Sequence, residues 1–362
     1  MSGIWGNSLK ISIFGESHGK AIGINIDGLK AGILLDLDYI RKEMQRRAPG
    51  NNEFSTPRAE GDEFEILSGF FEGRTTGAPL CAVIHNTDKK SEDYAELKNV
   101  MRPSHSDYTA YVKYGGFNDY RGGGHFSGRL TAPLVYAGAI CKQILESRGI
   151  TIGSHIRSIG EEQDRPFNPV SVDSGTLKKL AGKAFPVLDA KSEALMKEVI
   201  TRAKEQKNSV GGVVETAVLG VKPGIGEPFF DSVESTLAHL IFSIPGVKGL
   251  EFGAGFDISK LMGSEANDEY YMDGEEVKTY SNNNGGILGG ITDGMPIIFR
   301  TAIKPVASIG RRQRAIDIEK KENVGLEVQG RHDPCIVPRA VPVVEAVTAI
   351  ALLDLIMVSQ GK

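Results

Sequence analysis

TAPLVYAGAICKQILES, residues 131–147, decides the reading of the fold. It is apolar along most of its length, and Pro133 suits the first turn of a helix, where no N–H is needed. A second apolar stretch, VPVVEAVTAIALLDLIMVS at 341–359, closes the chain as another long helix. The two open alike, with Pro133-Leu134-Val135-Tyr136-Ala137 in one and Pro342-Val343-Val344-Glu345-Ala346 in the other. Each follows a loop rich in Arg, Gly and His. That echo suggests a duplicated strand–loop–helix unit.

Outward from these helices the chain reads as strands in runs. LKISIF (9–14) and IGINID (22–27) alternate apolar and polar residues, the strand period. Residues 64–68, 80–85, 150–159, 211–221, 250–256 and 295–302 also read as strands. Asp38 is expected to cap a helix with Leu37, Ile40 and Met44 on one face. An amphipathic helix over 188–204 groups Leu195, Met196, Val199, Ile200 and Ala203; its Glu193–Lys197 and Glu198–Arg202 pairs form a solvated face. A shorter helix covers 235–244. Strands in runs rather than strict βα alternation favour an α+β fold. No low-complexity linker divides the chain, so residues 1–362 read as one domain.

Composition narrows the function. The chain has 362 residues, 40% hydrophobic and 24% charged, with a net charge of −4. No basic field draws it to nucleic acid. Cys81, Cys141 and Cys335 lie far apart among apolar neighbours and form no CxxC, which predicts buried thiols in a reducing compartment. The N-terminus lacks a signal-peptide pattern, and no stretch reads as a membrane span of about 18 apolar residues. The expected location is the cytoplasm, with no membrane partner. The histidines show no pair at metal-ligand spacing, so no metal site is expected. Walker, dinucleotide-binding, HExxH and GxSxG motifs are missing from the sequence.

What remains is polar clusters on loops. RPSHSDYTAYVKYGGFNDYRGGGHFSGR (102–129) reads as one long ordered loop, too polar for a core and too aromatic for a linker. Gly15-Glu16-Ser17-His18-Gly19 holds a histidine in a strand-to-strand turn. Gly285 to Gly290 offers bare backbone to a flat ligand or a phosphate. Gly330-Arg331-His332-Asp333-Pro334 sets a cation, an imidazole and a carboxylate side by side. Arg102 and His105 suit one oxyanion, the guanidinium as a clamp and the imidazole as a proton donor. Arg47, Arg102, Arg129, Arg331 and Arg339 fall in or beside these clusters. So many arginines point to a small molecule with several anionic groups; a neutral ligand would leave them repelling one another. The polar stretches 51–62 and 311–321 are expected to be exposed and to order only on binding.

GESHGKAIGINIDG (15–28), RPSHSDYTAYVKYG (102–115) with RGGGHFSGRLTAP (121–133), and GRHDPCIVPRAVPVVEAV (330–347) resemble the signature regions of the chorismate synthase family. SNNNGGILGG (281–290) and KPVAS (304–308) resemble its further flavin segments. The resemblance runs in order over essentially the whole chain. It implies a β-α-β sandwich, with antiparallel sheets around long helices and an internal repeat, assembled as a homotetramer. It implies a lyase of the shikimate pathway, serving aromatic amino acid biosynthesis. The reaction would be a 1,4-anti elimination of phosphate from 5-enolpyruvylshikimate-3-phosphate, giving chorismate. Reduced FMN would be required without net redox change. Some members reduce FMN with NADPH and others receive it reduced.

By the same resemblance, His18 would protonate the reduced flavin and His105 the departing phosphate. Asp333 would assist at flavin N5, with Ser17 and Ser127 relaying protons. FMN contacts are implied for His125, Phe126, Ser127, Pro245, Gly246, Gly289, Lys304, Pro305, Val306, Ala307, Ser308 and Arg331. Substrate or NADP contacts are implied for Arg47, Arg102 and Arg129. Two departures stand out. Glu53 occupies a position where many bacterial members carry arginine, with Arg58 nearby. His125-Phe126-Ser127-Gly128-Arg129 replaces a common RSSAR. Two other classes stay open on the residues alone: an NADPH-dependent flavin oxidoreductase acting on an anionic substrate, and a non-enzymatic anion-binding protein.

Overall fold

The computed structural model describes residues 3–50, 61–87, 98–328 and 333–361. The first half of the chain builds one five-stranded antiparallel sheet in the order β1-β2-β3-β7-β4. Its strands are β1 (Ile4–Trp5), β2 (Lys10–Gly15), β3 (Ala21–Asp27), β4 (Phe64–Ser68) and β7 (Leu80–His85). Between β4 and β7 lies a short hairpin of β5 (Phe70–Phe71) and β6 (Arg74–Thr75). The alternation seen in the sequence sets the buried face. Ile22, Ile24 and Ile26 of β3 stand opposite Ile84, Ala82 and Leu80 of β7, and all six are buried.

The second half builds the other five-stranded antiparallel sheet, ordered β10-β9-β11-β17-β12. These strands are β9 (Thr151–Ile159), β10 (Glu162–Gln163), β11 (Gly212–Leu219), β12 (Val247–Phe252) and β17 (Ile297–Ile303). Each half also supplies two core helices: α1 (Leu37–Arg47) and α3 (Thr131–Glu146), then α6 (Val233–Ile241) and α8 (Val337–Gln360). Helix α3 packs on β3 and β7 of the first sheet and on β9 of the second, and α8 packs on β9 and β11. The result is the expected sandwich of two antiparallel sheets around long helices, with one sheet and two core helices per half. Helix α4 (Ser174–Ala181) packs on β9 of the second sheet, and α5 (Ala190–Glu205) packs on β10 and β9. The remaining elements are peripheral. They are β8 (Val100–Met101), α2 (Asp107–Tyr114), α7 (Gly263–Ala266), the hairpins β13–β14 (Tyr270–Asp273, Glu276–Thr279) and β15–β16 (Ile287–Leu288, Ile291–Thr292), and β18–β19 (Gln313–Asp317, Glu322–Leu326).

Helices α3 and α8, the two that echo each other in sequence, meet at Gly138. A Cβ there would lie 2.3 Å from Ala346 Cβ and 2.4 Å from its Cα. Both helices are buried on nearly every face, so neither can move aside. Gly138→Ala is therefore expected to cost about 1–3 kcal/mol by overpacking, read as a lower midpoint in urea unfolding.

Several boundaries differ from the sequence reading. Asp36, not Asp38, caps α1: its side chain accepts from the N–H groups of Asp38 and Tyr39 at 3.0 Å each. Helix α8 starts at Val337, so Pro342 lies inside it and Pro338 takes the early position. This helix is long and apolar enough to cross a membrane by length and composition, where the sequence reading sees no such stretch; 89% of its most apolar window is buried inside the protein. The stretch 102–129 is not one loop, because α2 occupies Asp107–Tyr114 and ends on left-handed Gly115. Leu195 falls on the exposed side of α5, while Met196 and Ile200 are buried. The charged stretch 311–321 contains β18, which pairs with β8 and β19. The expectation for 51–62 lies outside the described residues apart from Gly61 and Asp62.

Candidate active site

The turn after β2 and the stretch after α2 meet through backbone. Ser17 N–H donates to Gly124 O at 3.1 Å, and Ser17 Oγ donates to Arg121 O at 3.2 Å. His18 Nδ1 lies 3.0 Å from Ser17 Oγ. A hydroxyl has one proton. With that proton on the Arg121 carbonyl, Ser17 Oγ accepts from His18 Nδ1–H. His18 is buried.

His105 is held in the same manner by a different partner. Its Nδ1 donates to Asp107 Oδ1 at 2.6 Å. Arg102 grips the same carboxylate, Nε to Oδ2 at 2.7 Å and Nη2 to Oδ1 at 2.8 Å. Burial alone would raise the Asp107 carboxyl; hydrogen bonds from Arg102 and His105 outweigh it and hold it well below the usual carboxylate range.

Gly122, Gly123 and Gly124 form the ridge between the two imidazoles, all at positive φ. Gly122 packs on the His18 ring, and Gly123 packs on the ring of His105 with Ser127 beyond it. Successive Cα atoms are about 3.8 Å apart, so two proton-handling rings flank neighbouring residues. The glycines here seat imidazoles. In the other Gly-rich stretch, Gly285 and Gly286 let the backbone approach Gly253 and Pro296 rather than a ligand.

Arg47, Arg102, Arg129 and Arg339 each have a carboxylate partner in the fold, so they do not depend on a ligand to relieve mutual repulsion. Arg47 and Arg129 share the buried carboxylate of Asp62. Burial brings Arg47 down to about 10, opposed by Asp62 and reinforced by Arg339 and Arg129. Arg339 bonds Asp333 at 2.7 Å and donates through Nε to Arg47 O at 3.0 Å. That contact carries Asp333 from the far end of the chain to the end of α1. Arg121 pairs with Asp119.

Lys304 to Ser308 joins the Arg102–His105 side. Lys304 Nζ donates to Ser104 O at 2.6 Å, and Arg102 Nη1 donates to Ser308 Oγ at 3.3 Å. Lys304 N–H donates to Gly246 O at 2.9 Å, which brings Pro245 and Gly246 in. Ser209 Oγ donates to Val306 O at 2.7 Å and fixes the middle of this segment. His125 Nδ1 bonds Gly15 O at 2.8 Å, and Phe126 next to it is exposed. Gly289 stands apart. It turns the β15–β16 hairpin beside the Ile297 end of β17, about 20 Å of strand away from Lys304 at 3.3 Å per residue. Arg331, His332, Glu53 and Arg58 lie outside the described residues.

The chain has relatives. A family model described as chorismate synthase matches residues 9–357. This chain belongs to the chorismate synthase family. It is 44% identical over 355 residues to the chorismate synthase of Dehalococcoides mccartyi, covering 98% of this chain and 96% of that one. It is 45% identical over 362 residues to that of Methanocaldococcus jannaschii, covering 98% and 96%. A crystal structure of chorismate synthase matches with a TM-score of 0.77 at 30% identity, over 99% of this chain and 94% of that one.

The flavin that the chorismate synthase family implies carries a phosphate, and the residues present fit an anion. Burial pushes Lys304 below the usual lysine range, and the like charge of Lys248 adds to it; an anion between them would relieve both. Two site residues escape the sequence reading. Asn86 ties the His18 turn to the arginines: Nδ2 donates to Glu16 O and Gly19 O, and Oδ1 accepts from Arg129 Nε. An asparagine directly after a strand reads as a turn residue, so nothing local marks it. Asp62 is equally unmarked, one acid in a polar stretch.

Proposed function

We propose that the chain eliminates phosphate from 5-enolpyruvylshikimate-3-phosphate to give chorismate, with reduced FMN beside the substrate. The observation that carries this reading is the pair of imidazoles, each anchored through Nδ1, on neighbouring glycines. Reduced FMN, when bound, supplies electron density toward the breaking C–O bond. Lys304, Pro305, Val306, Ala307, Ser308, Pro245, Gly246, His125, Phe126 and Ser127 would hold it, with Arg331. Gly289 lies at the other end of β17 from these residues.

The chain's own residues handle charge and protons. His105 holds a proton at Nε2 for the departing phosphate, and Arg102 offers Nη1 to the same oxygens. His18 holds a proton at Nε2 on the other side of the ridge. Ser17, Ser127 and Asp333 belong to the proton relay, and Arg47 and Arg129 fix the wall behind it. The substrate is a small molecule, and no step calls for nucleic acid, membrane or metal. Three free cysteines suit a cytoplasmic enzyme. One buried cluster draws on both sheets, from Leu9 to Ile356, which supports a single domain. Exposed Phe229, Phe230, Phe256 and Met262 support further burial in a homotetramer.

The test is an anaerobic assay. Reduced FMN with the enolpyruvyl phosphate should give chorismate by absorbance, and oxidised FMN alone should give none. His18→Ala and His105→Ala should each lose about 100-fold or more in kcat with folding retained. No turnover under reduced conditions overturns the reading. Running the assay with and without NADPH separates self-reduction of the flavin from supply by another reductase. Stoichiometric NADPH consumption with a net-reduced product would establish an oxidoreductase instead.

A further inference from the structure

Asp107 joins the two groups assigned to the departing phosphate. Oδ1 accepts from His105 Nδ1 at 2.6 Å and Arg102 Nη2 at 2.8 Å. Oδ2 accepts from Arg102 Nε at 2.7 Å and from the Arg102 backbone N–H at 3.1 Å. The segment between them doubles back: His105 N–H donates to Arg102 O at 3.3 Å, and Ser104 sits at φ 57°. Arg102, His105 and Asp107 therefore close a ring within six residues of chain, and the Asp107 carboxylate bonds the side chains of both others.

We propose that Asp107 is a positioning residue that sets the His105 tautomer and aims Arg102. The inference rests on the reading above, in which His105 serves the phosphate. An ionised carboxylate at Nδ1 accepts only, so Nδ1 keeps its hydrogen and every proton exchanged by His105 passes through Nε2. The Gly123 ridge lies against the Cε1–Nε2 edge of that ring, the side facing His18's neighbour Gly122. By occupying Nε and Nη2 of Arg102, the same carboxylate leaves Nη1 as the guanidinium nitrogen pointed at Ser308. One carboxylate therefore orients both donors with a single set of bonds. Other charged or titratable groups surround it. Lys304 reaches the loop at Ser104 O, and Lys98, Tyr111 and Tyr120 line a cavity of about 150 Å³ that Asp107 also lines.

The experiment compares the whole protein with Asp107→Asn, His105→Ala and the double variant, in the anaerobic assay across pH. Asp107→Asn is expected to lower kcat about 100-fold and to move the alkaline limb of the kcat profile to lower pH. In the His105→Ala background the same change should cost clearly less than about 100-fold, because the part of its effect that runs through His105 is already gone and only the part through Arg102 remains. An unmoved pH profile, or a full multiplicative loss in the double variant, overturns the proposal. A second measurement needs neither turnover nor a folded variant. Nitrogen NMR of histidine-labelled unmodified protein should show His105 protonated at Nδ1 at every pH. An Nε2–H tautomer with bare Nδ1 overturns the proposal. Loss of the functional reading would appear separately, as absent turnover in the unmodified protein.

Discussion

Gly122→Ala is expected to lower turnover by about 100-fold or more while the chain stays folded. A Cβ at this position would lie 2.2 Å from His18 Cε1, 2.4 Å from His18 Nδ1 and 2.9 Å from Ser17 Oγ. The residue also sits at φ 58°, where a side chain costs about 1–2 kcal/mol. The steric term decides the outcome. His18 is buried and its Nδ1 is held by Ser17, so the ring has little slack and must shift by about an ångström. A displacement of that size at a reacting group costs about 10²-fold. Gly149 supplies the control: it sits at φ 81° with nothing within 4 Å of an added Cβ. Gly149→Ala carries the same backbone strain without an imidazole in the way and should keep kcat near the unmodified value. Equal kcat for the two variants in the anaerobic assay would show that the ridge does not seat the histidine.

The sequence made local geometry legible and long-range pairing illegible. Alternation placed β3 to within a residue, because its isoleucine face is buried. It missed β18 because the pattern there is inverted: Ile316 faces outward, while Asp317 turns inward and accepts from the N–H groups of Glu319 and Lys320. The start of α8 is not legible because Pro342 fits a first turn as well as Pro338 does, and packing, not propensity, decides between them. At the site, ESHG and RPSHSD were visible as units, since their internal bonds span only a few residues. The partners that complete them were not. Arg129 finds Asp62 across 67 residues, and Arg102 finds Ser308 across 206. For the same reason the carboxylate partners of Arg47, Arg129 and Arg339 are not legible in the sequence.

Glu345→Ala is expected to destabilise the protein by about 3–5 kcal/mol. Glu345 lies on α8, wholly buried, and its carboxylate takes four donors. Arg46 gives Nη1 at 2.7 Å and Nη2 at 3.1 Å, Lys142 gives Nζ at 3.0 Å, and Ser154 gives its N–H at 3.0 Å. Glu43 completes a balanced set, two cations against two carboxylates. Removing Glu345 leaves Arg46 and Lys142 buried with one partner between them, and the loss of that compensation sets the size of the effect. The pH dependence has a definite sign. Burial alone would raise Glu345, but Arg46 and Lys142 outweigh it and lower it from 4.5 to about 2. A depressed folded-state carboxyl stabilises above its unfolded value and loses that contribution as pH falls toward the folded one. The gap between the unmodified protein and Glu345→Ala should thus be full at pH 7 and narrow below about pH 4.5, measured by urea unfolding at both. A gap of constant size would mean that lost packing, not charge, carries the effect. Replacing all four charged residues by apolar ones of similar volume should be close to neutral, because no charge is then stranded. The network also reaches the site. Arg46 precedes Arg47 at the end of α1, so the pairs that lock Arg46 to α8 fix where Arg47 meets Asp62, and turnover should fall in Glu345→Ala even at temperatures where the fold persists.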